Sequence, residues 1–500
     1  MSAAPGRPRL ARTAARQGEG TQMIPQGRPK TGIAAVCAAA LLALGGCASL
    51  SVDGGVADIQ ALTQGKTAGV QATLVREPTA QSRERVAQLL AQPLDEAAAV
   101  HIALLNNPGL HGAMALLGIS DADRVQASSL PNPHFSLGRF VEGDKLGIDR
   151  LLRFDVIGLL ALPWRAKWAG QQTELAKLAA AQEVVQLAAQ TRKAWIVAVA
   201  AQQSASYLRD VKDATEAGAE LARRLARVGN WTRLNQAREQ SLLAEATAQL
   251  ARAEQTAFAN REQLTRLMGL WGSQTNYRLP TRLPDLPASV REIRDVETQA
   301  ITQRIDVRSA TTEAAFVADS LGFVKASGFI NALDLSVSRN TTFDRSTGDK
   351  EKLRGWELEL PLPIFDWGQA GNARSRAIYL QAVAKVQEVG VRSRSEAREA
   401  YHGYRTAYDL ARHYRDEVVP LRKFILDEML LRYNGMISSV FDLLADTRVH
   451  IGAVNASIEA QRDFWLADAD LQTTLTGTSP GAMNSPQSAA ASAAGDAKGH

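Results

Sequence analysis

Cysteine is nearly absent: the 500-residue chain holds two, Cys37 and Cys47. Both lie close to the N-terminus, so no disulfide framework can organise the rest. Proline is missing from Trp164 to Leu279, and one glycine-containing stretch, "RVGNWTR", is the clear break in that span. No HExxH, CxxC or GxSxG occurs, and "GKT" at Gly65–Thr67 has Gln60 where a phosphate-binding loop needs its first glycine. The seven histidines are scattered without ligand spacing. These absences leave an enzyme without a catalytic constellation and a metal site without ligands.

A net charge of one sign is also missing from most of the chain. The formal charge is +5, but residues 1–46 carry Arg7, Arg9, Arg12, Arg16, Arg28 and Lys30 against Glu19 alone. The remainder is balanced, so the basic pI gives no support to nucleic-acid binding.

What stands at the N-terminus reads as a secretory signal, residues 1–46, with Met23 as an alternative start. Arg28 and Lys30 precede the apolar run "IAAVCAAALLALGG", which is shorter than the ~20 residues of a membrane span. Leu44-Gly45-Gly46-Cys47 resembles a bacterial lipobox. That resemblance implies cleavage before Cys47 and a covalent lipid on its thiol. Ala48-Ser49 in place of an aspartate next to the cysteine implies the outer membrane.

Residues 47–92 read as an extended polar tether. Asp95 then opens a helix, interrupted at Asn107-Pro108 and resuming to about Leu130. "PNPHFSLGRF" and "RLLRFDVIGLLALP" read as strands around the turn "EGDKLGID". From Pro163 a helix of some 65 residues would reach roughly 100 Å. The proline-rich stretch 271–287 is a linker, and the plan then repeats over 288–477. A helix over 288–327 precedes strands at about 332–340 and 355–362. A second long helix runs to Tyr433, turns at Asn434-Gly435 and returns to Gly477. Residues 478–500 form a low-complexity tail.

The two halves, 93–270 and 288–477, match at a fixed offset. Arg192–Trp195 aligns with Arg398–Tyr401, and Gly229 with Gly435, both at 206 residues. Leu333, Leu335 and Val337 alternate with Asp334, Ser336 and Ser338; Trp356, Leu358 and Leu360 alternate with Glu357 and Glu359. Membrane-spanning strands and half-buried soluble hairpins both give this pattern. In a membrane four strands could not close a barrel, and open edges are excluded from lipid, so several protomers would have to share one. Ile437, Leu444, Ile451, Ile458 and Trp465 recur every seven residues, the coiled-coil period.

With these residues in view, the chain resembles the TolC-like outer membrane efflux protein family, lipoprotein branch, over about residues 93–477. The matching pieces are "LDEAAAVHIALLNNPGL", "LPNPHFSLG", "PLPIFDWGQAGNARSRA", "RVGNWTRLNQARE" and "RYNGMISSVFDLLADTR". The resemblance implies a mainly α fold with a membrane β-barrel part: a homotrimer sharing a twelve-stranded barrel above a long α-helical tunnel. It implies a passive, non-enzymatic efflux channel in the cell outer membrane, lipid-anchored and extending into the periplasm. Its partners would be a periplasmic adaptor and an inner-membrane pump, with no cofactor beyond the lipid on Cys47. The adaptor-docking tip would be Gly229, Asn230, Trp231, Gly435, Met436, Ile437 and Ser438. Phe441 and Leu444 stand where the family commonly has acids, so Asp442 and Asp446 become the constriction candidates. Pro163, Pro361, Pro363 and Gly368 would form the hinge where barrel becomes tunnel. A periplasmic coiled-coil lipoprotein serving as adaptor or scaffold is the alternative.

Overall fold

The computed structural model describes residues 49–479 except 68, 71–72, 328–332, 361–363 and 366, all within one compact unit. Cys47, Pro361 and Pro363 lie outside the described residues. Residues 56–63 and 80–90, expected as extended tether, instead form α1 (Val56–Thr63) and α2 (Ala80–Leu90). Their apolar residues Ile59 and Val86 are buried in the main core, which gives this polar stretch a reason to fold.

α3 (Glu96–Asn106) starts at Asp95, whose carboxylate accepts from the Ala98 N–H at 2.6 Å, and stops where Pro108 removes a donor. α4 (Pro108–Ala127) continues after a 48° bend. α3 is a core helix, with Val100, Ile102, Ala103 and Leu104 fully buried. Among the described residues no single helix is long and apolar enough to cross a membrane.

β1 (His134–Glu142) and β2 (Lys145–Asp155) form a hairpin with the two-residue loop Gly143-Asp144. That loop is far tighter than the eight-residue turn expected. Gly143 takes φ +58°, which a glycine accepts without steric cost. The residues "VIGLL", read as strand, form the short helix α5 (Val156–Leu160), capped by the Asp155 carboxylate on the Gly158 N–H at 2.7 Å.

α6 (Leu162–Arg227) runs 66 residues without interruption, and α7 (Arg233–Leu267) returns beside it. The middle of α6, from Leu178 to Ala200, packs on α3 and forms the main core. Its alanines, including Ala180, Ala181, Ala188, Ala194 and Ala198, let neighbouring helices approach closely.

The linker extends further than expected, with no α-helix from Met268 to Asp295. It is strapped across the long helices by hydrogen bonds. Tyr408 donates to the Pro287 and Ala288 carbonyls at 3.1 and 3.2 Å. Gln461 and Trp465 donate to the Pro284 carbonyl at 2.7 and 3.0 Å, and Gln203 accepts from the Leu283 N–H at 3.1 Å.

α8 (Val296–Gln303) and α9 (Ile305–Ser327) replace the single helix expected over 288–327. The break is Arg304, whose side chain is fully buried. It bonds Asp306 at 2.6 and 2.9 Å and Glu396 at 2.8 Å. β3 (Asp334–Asp344) and β4 (Lys350–Glu359) extend nearer their turn than expected. The four strands make one antiparallel sheet in the order β1-β2-β3-β4, leaving β1 and β4 as edges.

α10 (Gln369–His413) passes through a π-helical turn, Tyr414–Val418, into α11 (Val419–Asn434), and α12 (Val440–Thr476) returns. Pro420 follows one residue after the π turn, in the first turn of α11. A proline inside an α-helix clashes with the carbonyl four residues back and supplies no donor; widening the preceding turn relieves both. Of the expected heptad positions, Ile437 falls before α12, whereas Leu444, Ile451, Ile458 and Trp465 lie on it.

Candidate functional site: a two-faced sheet, two hinges and two helical tips

The strand pairings put Phe135, Leu152, Val337 and Trp356 in one row across the sheet. Phe154, Leu335 and Leu358 form the row nearer the helices, on the same face. Trp356 is 75% exposed, Phe135 66% and Leu358 52%. The opposite face carries Ser336, Ser338, Asn340, Thr342, Glu357 and Glu359. An apolar face left open to water is costly, at about 25 cal/mol per Å². Strands of 9, 11, 11 and 10 residues match the span of a lipid-embedded strand.

The two strand-to-helix hinges differ. After β2 the chain becomes helical at once through α5, and Pro163 lies in the first turn of α6, where its missing donor costs nothing. After β4 nine residues pass before α10 starts at Gln369. Gly368 caps that start with φ +78°, and its carbonyl accepts from the Asn372 N–H at 2.9 Å. Ile364, Phe365 and Trp367 are exposed around this hinge, as are Leu160 and Trp164 around the other.

At the first helical tip the N–H groups of Val228, Gly229 and Asn230 donate to the carbonyls of Arg224, Ala226 and Leu225 at 3.3, 3.2 and 3.0 Å. Gly229 takes φ +81°. Trp231 is half-buried, and the Thr232 hydroxyl caps α7 through the Asn235 N–H at 3.2 Å. At the second tip Gly435, Met436 and Ile437 donate to Leu431, Tyr433 and Arg432 at 3.0, 3.0 and 2.9 Å. The pattern is the same, but the left-handed residue is Met436, φ +59°, and not Gly435, φ −79°. Gly229 therefore corresponds to Met436, and cap Thr232 to cap Ser439. The tip offset is 207, not the 206 read from the sequence.

Asp442 is exposed and already engaged. It accepts from the Ser439 N–H at 3.2 Å and hydroxyl at 2.7 Å, while its own N–H donates to the Ser439 hydroxyl at 3.2 Å. This is a reciprocal cap at the start of α12. Asp446, half-buried one turn on, has no side-chain partner among the described residues.

No family model and no curated protein matches the sequence. Solved structures do match the fold. VceC, an outer membrane protein of Vibrio cholerae, aligns with TM-score 0.62 and 17% identity over 80% of this chain and 100% of that one. The MtrE outer membrane channel of Neisseria gonorrhoeae gives 0.61 and 19% over 76% and 88%. The CmeC outer membrane channel of Campylobacter jejuni gives 0.60 and 14% over 82% and 90%. The chain has the TolC-like channel fold. None of these neighbours is described as an enzyme.

Within this TolC-like fold two features escaped sequence reasoning. The first is the π turn. Upstream of it the offset is 206: Arg192 pairs with Glu96 in the first turn of α3, as Arg398 pairs with Glu297 in the first turn of α8. Downstream it is 207. A π turn holds one residue more than an α-helical turn, which matches the one-residue difference. Pro420 was the available signal. The second is a clamp on residues just after Cys47. The Asp121 carboxylate on α4 accepts from the Ser51 N–H and hydroxyl at 2.8 and 2.9 Å, and Arg124 donates to both Asp121 and the Ser49 carbonyl. The Ser51 N–H, with Arg124 beside it, holds the Asp121 carboxyl below its ordinary pKa.

Proposed function

We propose that the protein is the outer membrane channel of a tripartite efflux system, a passive trimeric duct that docks a periplasmic adaptor and an inner-membrane pump. The observation that carries this reading is the four-stranded sheet with one apolar, exposed face and two unpaired edges. Lipid forbids open edges. Three copies joined edge to edge would make a closed twelve-stranded barrel, in keeping with the TolC-like fold.

The helices support the same assembly. Leu421, Phe424 and Leu431 lie on α11, which buries no residue within the protomer, so their cover would come from neighbouring protomers. We read the repeated order of helix, hairpin, long helix and return helix as an internal duplication. In this reading 93–270 and 288–477 are the repeats. The tips, from Gly229 to Trp231 and from Gly435 to Ser438, dock the adaptor. Val228, Met436 and Ile437 are 68%, 95% and 78% exposed there, an apolar surface of the kind a partner covers. Asp446 is the better constriction candidate, because Asp442 is held in its cap.

Lipidation at Cys47 fits the clamp. Asp121 sits late in α4, which runs toward β1, so Ser49 and Ser51 are fastened near the sheet end of the helices. A lipid two residues upstream of Ser49 would reach the same bilayer as the sheet. Planar-bilayer conductance of the purified, heat-modifiable trimer tests the reading. Discrete channels that disappear when β3 and β4 are deleted are expected. A water-soluble protein with no conductance would favour the adaptor or scaffold alternative.

A further inference from the structure

The charges on the four strands are segregated by face. All eight acidic residues, among them Asp149, Asp334, Glu351 and Glu357, share the polar face. Six of the eight basic residues (Arg139, Arg150, Arg339, Lys350, Lys352 and Arg354) stand on the apolar face with no acid among them. Their positions along the strands are equally uneven. The two apolar rows lie next to the helices. The cations begin in the following row and continue to the hairpin turns, each row about 6.8 Å further on, sharing the face there with Leu137, Ile148, Val141, Leu146 and Phe343.

Arg150, Arg339 and Arg354 are direct cross-strand partners in consecutive strands. Like charges so placed, about 5 Å apart at Cβ, destabilise a sheet. No carboxylate faces them. The hydrogen bond from Arg150 Nη1 to the Thr341 hydroxyl, at 3.5 Å, leaves the charge uncompensated. On a soluble sheet, acids on the same face would relieve this row at little cost. Here every acid has been kept on the other side.

We infer that this basic band binds the phosphate groups of lipid headgroups in the leaflet around the hairpin turns. The inference rests on the proposed function, which places the apolar face in lipid. The apolar rows would meet acyl chains. The guanidinium row then falls at the depth where chains give way to headgroups. Planar guanidinium forks match phosphate oxygens in pairs, and Lys352 and Lys350 stand one and two rows nearer the turns, on the headgroup side of the arginines. A shared anionic layer would turn the repulsion along Arg150–Arg339–Arg354 into cohesion between strands. In a closed trimer it would also bridge the β4–β1 seam between protomers, since Arg354 and Lys352 lie on edge strand β4 and Arg139 on edge strand β1.

The test uses the full-length trimer in mixed micelles with bisphosphorylated lipid A, with phosphatidylcholine, or with inorganic phosphate alone. Lipid A should be retained in native mass spectra and should raise the trimer dissociation temperature. The other two should do neither. R150Q/R339Q/R354Q should lower lipid A affinity on the order of 100-fold, and R354Q alone about fivefold. D334N/E357Q, on the polar face, should leave retention unchanged. Equal retention by the triple variant, or an equal effect of inorganic phosphate, overturns the inference. Quenching of Trp356 by brominated acyl chains, read as the difference from Trp356→Phe, separates the two levels. Quenched Trp356 with unaltered lipid A binding defeats the phosphate site alone. Unquenched Trp356 defeats the membrane placement and the site with it.

Discussion

The two helical hairpins of this chain solve one problem with different means. The first reaches its tip through 66 uninterrupted α-helical residues and reverses on a glycine. The second carries a π turn and Pro420 on the way and reverses on a methionine held at φ +59°. Their tip hydrogen bonds are nonetheless superposable residue for residue. The difference teaches that one turn geometry can rest on two different sequences. Met436 stands where Gly229 does, and Gly435 where Val228 does. A left-handed non-glycine residue costs about 1–2 kcal/mol. Met436 is also almost wholly exposed, so the strain is not offset by burial of its side chain.

That comparison can be broken at the π turn. Deleting Val418 should convert the π turn to regular α-helix with the phase beyond it kept, as in α6, and leave Pro420 clashing with the carbonyl four residues back. We expect about 3 kcal/mol of lost stability, the cost of a proline inside a regular helix, read by urea denaturation. An unchanged melt would mean that Pro420 does not need the widened turn.

A second expectation concerns the clamp, which belongs to the first half alone. Asp121→Ala should cost about 1–3 kcal/mol, because Ser51 and Arg124 lose their acceptor. The sign with pH follows from its depressed pKa. The stabilisation is present above the unfolded carboxylate pKa and fades as pH falls through the lower folded value. The wild-type advantage over the alanine variant should therefore shrink at acid pH. A constant gap down to acid unfolding would contradict it.

Swapping the tips sharpens the comparison directly. Gly229→Ala should destabilise by about 1 kcal/mol, and Met436→Gly should stabilise by a similar amount. Opposite signs in thermal melts are the signature. If Met436→Gly gains stability but weakens adaptor crosslinking, the strained methionine is kept for its contact.

The smallest expected effects separate two acids one turn apart. Asp442→Ala removes a cap and should cost about 0.5–1 kcal/mol of stability. Asp446→Asn should leave the melt unchanged and reduce cation selectivity in single-channel recordings. Equal conductance behaviour for both variants would remove Asp446 from the constriction.

Most long elements were legible because their signals are local. Asn107-Pro108 breaks α3 from α4, and the alternation around Val337 and Trp356 marks β3 and β4. What escaped depends on distant partners. Arg304 splits α8 from α9 because Glu396, across the fold, joins Asp306, two residues on, in holding its buried guanidinium. Nothing local in "ITQRIDVR" announces that. α1 and α2 form because Ile59 and Val86 find a core that their own polar stretch cannot supply. The tips were located to within one residue. The register slipped because a glycine was matched to a glycine, whereas the backbone needs only a residue that tolerates φ > 0.

The linker strap has one more consequence. Long helices with a seven-residue apolar repeat can slide past each other by one repeat, roughly 10 Å, and recover much of their packing. Burial alone distinguishes poorly between such positions. The bonds from Tyr408, Gln461, Trp465 and Gln203 to 283–288 exist at one position only. The strap thus acts as an axial detent, fixing how far each hairpin descends from the sheet.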